Sequence, residues 1–588
     1  MKKAPNTPSQ ALSSSAASAS QPLAGFQYAR SQFEELVDMA LGHAKKLGAS
    51  DAGAEVSEGA GLSVSVRKGE LENVERNRDK SLGVTVYLGQ KRGNASTSDF
   101  SPDAIRQTVQ AAYDIARFTA EDPVAGLPDP ADVADSYPDL DLFHPWAINS
   151  EEALRIALEC EAAAFATSKK ISNSEGAGVS AQQSHFFTAH MRGGERGKLG
   201  IFSGGYASSR HSLSVAPIAG KGANMQRDYW YSSQRSPQDL ASPQAVGRYA
   251  AERALARLNG RKIATTECPV LFESPLAAGL LGGFVQAVSG GSLYRKSSFL
   301  LDSLGKMVFP KHIDILEDPF ILRGKGSSPF DEEGVRVAPR KVVKGGRVEG
   351  YFLSSYSARK LGMKTTGNAG GSHNLVMTSR LTQASDNLDA MLQKLGTGLF
   401  VVELMGQGVN YVTGDYSRGA SGFWVENGEI AYPVHEITIA GNLKDMLMGI
   451  EAVGAETGGT GMWAGFNVFL AAGMIREAAA LTTQIAGEVI PSDKPGCMAM
   501  ALKEPVGVIL GIAPWNAPII LGVRSIALPL ACGNTVVLEA LRRFLVDLSQ
   551  REDGYSYISE YSVEPGYSPR SPEWRLHVQN TKEGVDPS

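Results

Sequence analysis

The chain has 588 residues, 43% hydrophobic and 20% charged, with a formal net charge of −5. This is the make-up of an ordinary globular protein of three or four domains, and it lacks the basic field that a nucleic-acid partner would demand. The 64 glycines favour turn-rich β structure over long helical bundles.

Residues 1–28 carry two lysines but no apolar core of signal-peptide length, and read as a disordered Ser/Ala tail. Residues 29–48 repeat at helical spacing, with Phe33, Leu36, Val37, Ala40, Leu41 and Ala44 on one face and His43 at its boundary. Alternation in "LSVSV" and "LGVTVYL", separated by turn residues, predicts antiparallel strands. A second amphipathic helix follows at 101–120 with Ser101 as N-cap. After a Pro/Asp-rich linker at 121–142, a third helix spans 150–169. Ser150 is its expected cap, and Glu151 and Glu152 fall in the first turn, where the helix dipole favours negative charge.

From 268 to 443 the pattern is β-rich with a glycine-heavy middle. Two stretches there read as helix, "LAAGLLGGFVQAVSG" and "TSRLTQASDNLDAMLQKLG". The uncharged run at 506–523 contains Pro514 and Pro518, which remove backbone donors that a membrane-spanning helix would need. Two buried strands around a tight turn fit it better. The four cysteines, Cys160, Cys268, Cys497 and Cys532, form no CxxC-type pair. They suggest a reducing cytoplasm, and Cys160 sits in a helix body as a small core residue.

The expected fold class is therefore α+β. A helix-and-antiparallel-sheet domain precedes a β-rich C-terminal domain, an incomplete α/β fragment and a disordered tail. Boundaries are expected at 1–28, 29–225, 226–455, 456–540 and 541–588.

Four candidate sites stand out. His435–Glu436 in "YPVHEITIAGNL" is the sole His-Glu step, but residues 437–440 add no second His and the alternation is that of a strand. His185 and His190 in "SHFFTAH" would face opposite sides of a strand. The loop "TGNAGGSHNL" brings Asn368, Gly370, Gly371 and His373 together. A tight structural turn is the favoured reading, and peptide or partner contact the alternative. Asp331, Glu332 and Glu333 in "SPFDEEG" read as a solvated acidic turn, with cation or amine binding as the alternative.

The stretches "LFESPLAAGLLGGF", "SSPFDEEGVRVAPRKVVKGGRVEGYFLSSYSARKLGMKTTGNAGGSHNL" and "GQGVNYVTGDYSRGASGFWVENGEIAYPVHEITIAGNL" resemble the PmbA/TldD metallopeptidase family, in its PmbA (TldE) branch, over residues 29–455. The resemblance implies a component of a two-subunit zinc peptidase acting on small or unfolded peptides, as in peptide maturation and antitoxin turnover. It implies a TldD-type partner that supplies the zinc, a peptide substrate, and neither nucleic acid nor membrane as partner. The family's His-Glu-x-x-x-His motif belongs to the TldD branch. By alignment Gly282 and Gly283 stand where its His-Glu pair would be, so no cofactor is expected in this chain.

Residues 456–540 resemble an internal piece of aldehyde dehydrogenases of the salicylaldehyde and vanillin type, through "APWNAP" and "LPLACGNTVVLEA". In that family Asn516 would be the oxyanion donor, but the nucleophile, the base and much of the cofactor site lie beyond the match, and Glu539 replaces a cofactor-holding lysine. An inactive remnant is expected. A rearranged or misassembled reading frame is favoured over a working fusion, because the piece starts and stops inside a known fold. The alternatives to a peptidase component are a non-catalytic structural or binding subunit and, less favoured, an aldehyde dehydrogenase.

Overall fold

The computed structural model describes residues 21–193, 201–406 and 408–455, together with short strands at 488–490, 499–501, 508–513 and 535–540. The chain forms two compact units, Met1–Gly454 and Ala455–Ser588. The fold is α+β, as the periodicity predicts.

In the first unit, helix α1 (Arg30–Lys46) buries Phe33, Val37, Ala40, Leu41 and Ala44. They pack on strands β1 (Asp51–Arg67), β2 (Glu70–Leu88) and β4 (Ile171–Arg192), with helix α2 (Pro102–Phe118) completing that core. Ser101 caps α2 by accepting from the Ala104 N–H at 3.4 Å. Strand β3 (Lys91–Thr97) lies at the edge beside β2, and β5 (Phe202–Ala219) pairs with β4.

A second core forms farther along the same sheet. Helix α3 (Ser150–Thr167) and helix α4 (Pro243–Ala256) cover it through Ala153, Ala157, Cys160, Val246 and Ala250. The two helices approach closely, since a Cβ on Gly247 would lie 2.1 Å from the Cys160 carbonyl oxygen. The cap of α3 is Asn149, not Ser150. Asn149 has the extended backbone a cap needs, and its Oδ1 accepts from the Glu152 N–H at 2.8 Å.

Three expectations change here. Strands β6 (Gln226–Arg227) and β7 (Trp230–Gln234) pair with β5, so the expected boundary at 225/226 falls inside this sheet. The linker is a strap: Leu127, Val133, Ala134, Leu140 and Leu142 are buried, and Arg359 donates to the carbonyls of Gly126 and Leu127. Its mean polarity conceals apolar residues spaced to reach the sheet. Within the expected N-terminal tail, Phe26 is buried against Phe143 and His185, while Gln27 donates to Glu58. Residues 1–20 and 541–588, where tails are expected, lie outside the described residues.

The remainder of this unit holds two small sheets. One has the order β11-β10-β9-β12, from β9 (Ile313–Asp318), β10 (Arg340–Lys344), β11 (Arg347–Val348) and β12 (Asn374–Ser379). The other has the order β15-β14-β13-β8, from β8 (Val270–Phe272), β13 (Gly398–Met405), β14 (Asp415–Glu426) and β15 (Glu429–Asn442). Helix α5 (Ser274–Ala287) joins the core of Phe309, Ile313, Ile315 and Leu353 through Phe284 and Ala287. Short helices α6 (Gly290–Tyr294) and α7 (Ser355–Lys360) follow.

The second expected helix shrinks to α8 (Leu388–Leu395). Thr378 and Ser379 end β12 instead, and Asp386 and Asn387 bind the N–H groups of Gln383 and Ala390. Such local acceptors hold the backbone outside a helix until the cap is reached. Helix α9 (Leu443–Met448) follows β15 directly. Ion pairs tie the large sheet to this region: Arg253 on α4 grips Glu273 at 2.6 and 3.1 Å, and Arg257 grips Glu403 at 2.5 Å.

In the second unit, β16 (Glu488–Ile490) pairs antiparallel with β17 (Ala499–Ala501). Strand β18 (Val508–Ala513) runs parallel to β19 (Thr535–Ala540). The strand-like runs read in the sequence are thus strands, although 514–523 lie outside the described residues. No helix among the described residues is long and apolar enough to cross a membrane.

Candidate functional site

Glu317 lies at an inward position of β9, whose side chains alternate between buried and half-buried. Its carboxylate sits at the centre of a buried polar cluster. Arg340 on β10 donates to Oε2 at 2.7 Å, Asn368 Nδ2 donates to Oε1 at 2.7 Å, and the His373 N–H donates to the same oxygen at 2.9 Å. His373 Nδ1 lies 3.0 Å from that oxygen as well. Arg340 also stacks over Phe352 and donates to the Asn368 amide oxygen. Burial pushes the Glu317 carboxyl up, but the His373 hydrogen bonds and the Arg340 charge outweigh it and hold the acid below its ordinary range.

The loop singled out in the sequence is therefore organised from inside. Gly367, Gly370 and Gly371 have φ of +69°, +93° and +118°, which L side chains rarely adopt. This turn aims Asn368 and His373 at Glu317, leaving the backbone of Gly370 and Gly371 exposed.

The acidic turn beside it is solvated only in part: Glu332 is exposed as expected, and Asp331 is not. Asp331 is buried, accepts N–H bonds from Glu333 and Val335 on one oxygen, and accepts from Ala369 on the other. Burial pushes its carboxyl up to about 7 against the pull of these amides. Glu333 accepts from the Ser355 N–H at the start of α7. Asp331 thus fastens the acidic turn to the glycine loop. Two of its backbone partners are two and four residues away, but the third, Ala369, is 38 residues on, beyond the reach of local pattern.

The other candidates disperse. His435 lies in β15 at a bulge, where Glu436 has φ +53° and two residues oppose one on β14. Its Nε2 lies 3.0 Å from the Gly260 carbonyl oxygen, and Glu436 pairs with Lys262. His185 and His190 occupy opposite faces of β4, one stacked on Phe33 and the other beside Phe202. Burial pushes both imidazoles down to about 4. Cys160 is fully buried and its thiol is pushed up to about 12. Asn516 lies outside the described residues, and Glu539 falls on β19.

Helix α5 decides whether a zinc of the family type fits here. Its sequence, SPLAAGLLGGFVQA, contains no His, Cys, Asp or Glu, and its cap Glu273 is engaged by Arg253. A zinc helix needs two imidazoles one turn apart on one face, so these residues do not fit the metal. No group of three or more metal-ligating side chains occurs elsewhere among the described residues.

Sequence reasoning missed Glu317 and Arg340. The signal was present: in "IDILED" strict alternation puts Ile313, Ile315 and Glu317 on one face, and an acid on a core face needs a cation.

Profiles of the PmbA/TldA metallopeptidase domain 1, central domain and C-terminal domain match residues 54–116, 143–258 and 265–471. The aldehyde dehydrogenase family profile matches 442–542, overlapping the last of these. Metalloprotease PmbA of Escherichia coli O157:H7 is 51% identical over 429 residues, 73% of this chain and 92% of that one. TldE from Thermococcus kodakarensis shares the fold, with a TM-score of 0.61 at 18% identity over 72% of this chain and 94% of that one. Vanillin dehydrogenase of Pseudomonas sp. is 65% identical over 98 residues, 17% of this chain and 20% of that one. The chain belongs to the PmbA/TldD metallopeptidase family, as a PmbA-type member that continues into a segment similar to part of the aldehyde dehydrogenases.

Proposed function

We propose that this chain is the PmbA-type subunit of a cytoplasmic two-component peptidase in which a TldD-type partner holds the zinc. The partner's metal site performs the hydrolysis of small or unfolded peptides, and this chain helps wall the chamber and guide extended peptide. The observation that carries the reading is α5, whose Gly279, Gly282 and Gly283 offer no ligand where the family's metal helix would present them. The exposed backbone of Gly370 and Gly371 is the contact offered to peptide or partner, with Asn368 and His373 shaping it from beneath. The dehydrogenase-like segment spans a fifth of its vanillin dehydrogenase relative and is assigned no activity.

Co-expression with a TldD-type subunit tests this. The expected result is one complex on gel filtration that contains zinc and cleaves peptide, whereas the chain alone does neither. Stoichiometric zinc and peptide cleavage by the isolated chain would overturn the proposal.

A further inference from the structure

Between α5 and the β13–β14 sheet lies a cavity of about 80 Å³. Leu404 and Leu443 form apolar walls, and Gly279 and Gly283 form the α5 side. Leu280, Val409 and Tyr411 also line it, and β14 contributes two polar side chains, Tyr416 and Arg418. They are two residues apart on one strand, so both point to the same face.

The Tyr416 hydroxyl and the Arg418 Nε are left without a partner. The Tyr416 hydroxyl is buried and makes no hydrogen bond of ordinary geometry, although the Arg418 guanidinium lies close enough to oppose the upward shift that burial imposes on the phenol. The Arg418 Nε is likewise buried and unpartnered. Among the described residues no carboxylate lies within ion-pair reach of Arg418. Two other arginines of this unit do have acids, Arg253 paired with Glu273 and Arg257 with Glu403. A buried donor left unmade costs about 1–3 kcal/mol, and more when charged. Such a cost is offset when a ligand completes the bonds.

The chemistry of the missing ligand follows from the donors. A phenol O–H and a guanidinium offer donors and one positive charge, so the complement accepts only and is negative. A carboxylate meets this, and its planar oxygens match the guanidinium fork. The volume has room for a small group such as a carboxylate with the carbon or two behind it.

We propose that Arg418 and Tyr416 form a binding site for a monocarboxylate, seated between β14 and the glycines of α5. The source is either a free short-chain acid or the C-terminal carboxylate of a peptide. The site belongs to this chain alone and does not depend on a TldD-type partner.

The test uses the full chain without a partner, so its failure is separable from failure of the peptidase reading. Calorimetric titration with acetate, propionate, N-acetylglycylalanine and the amide of that dipeptide reads the site. Acids should bind and the amide should not. Tighter binding of the peptide acid than of acetate assigns a chain terminus as the natural ligand; equal binding assigns a free acid. Arg418→Met should weaken binding at least tenfold, and Tyr416→Phe about tenfold, the worth of one hydrogen bond to a charged group. Gly279→Leu provides a variant that keeps both donors. A Cβ there meets nothing within 4 Å, and leucine is a better helix former than glycine, so the chain should fold while the cavity fills. Loss of binding in folded Gly279→Leu supports the site. Equal binding of acid and amide, undiminished binding in Arg418→Met and Gly279→Leu, or no binding of any acid overturns it.

Discussion

Glu317 and Asp331 are almost equally buried, at 1% and 3% exposure, yet their carboxyls move in opposite directions. Both accept several hydrogen bonds. Glu317 has a cation among its donors, Arg340 at 2.7 Å; Asp331 has only backbone amides. Dipoles alone do not offset removal of a charge from water, and a guanidinium does. The cavity lined by Arg418 is the converse, a cation without its acid.

Breaking the stronger of the two sites should have the largest effect. Glu317→Ala leaves Arg340 charged and buried, and leaves donors on Asn368 and His373 without an acceptor. Removing one partner of such a pair costs about 3–5 kcal/mol. We expect the unit spanning Met1–Gly454 to lose cooperative thermal unfolding or to express insolubly. A variant within about 1 kcal/mol of the parent in chemical denaturation would show that the cluster is not stabilising.

The opposite shifts predict opposite responses to pH. Asp331 has a raised folded pKa, so its folded state binds the proton more readily, and its contribution falls as pH rises from about 4 to about 7. The span is on the order of 4 kcal/mol. Glu317 has a depressed folded pKa, so its contribution is present above the ordinary glutamate range and is lost as pH falls below it. Asp331→Asn should therefore flatten the decline between pH 4 and 7 and leave the acid limb of the profile unchanged. An unaltered slope in that window would mean that Asp331 titrates normally.

A smaller effect is expected from the loop that joins the two sites. A Cβ at Gly370 would lie 2.6 Å from the Glu332 carboxyl carbon, at a φ of +93°. Gly370→Ala should cost about 1–3 kcal/mol, the strain of a disfavoured backbone region. If Gly370 and Gly371 also touch peptide or partner, the same change should lower activity of the complex by more than its stability accounts for. Parallel melting and peptidase assays separate the two contributions.

Much of this was legible in local pattern. Helices α1, α2 and α5 follow from apolar spacing, and the strands from alternation. What escaped depends on distance in the chain. The linker reads as Pro/Asp-rich and becomes a strap only because Arg359 and Val335 meet it more than 200 residues later. Asp331 reads as solvated because Ala369, which helps to bury it, is 38 residues away. Glu317 could have been found, since it breaks the apolar face of its own strand. Tyr416 and Arg418 could not, because unpartnered donors become visible only when every neighbour is in place.

The least effect belongs to the most conspicuous step in the sequence, His435–Glu436. In a metal helix, replacing either residue would abolish hydrolysis. Here the bulge of β15 separates their roles: His435 lies against the Gly260 carbonyl, while Glu436 turns outward to Lys262 at 2.5 Å with both side chains largely exposed. His435→Ala removes one half-buried hydrogen bond, worth about 1 kcal/mol, and touches no group assigned to chemistry. A Cβ at Gly260 would lie 2.5 Å from the imidazole Cδ2, so the ring fills the space above that turn and its removal should loosen the approach of β15 there. We expect a small drop in melting temperature and peptidase activity of the complex within a few-fold of the parent. A hundredfold loss of activity at unchanged stability would return His435 to the active site and would contradict the assignment of the metal to the partner.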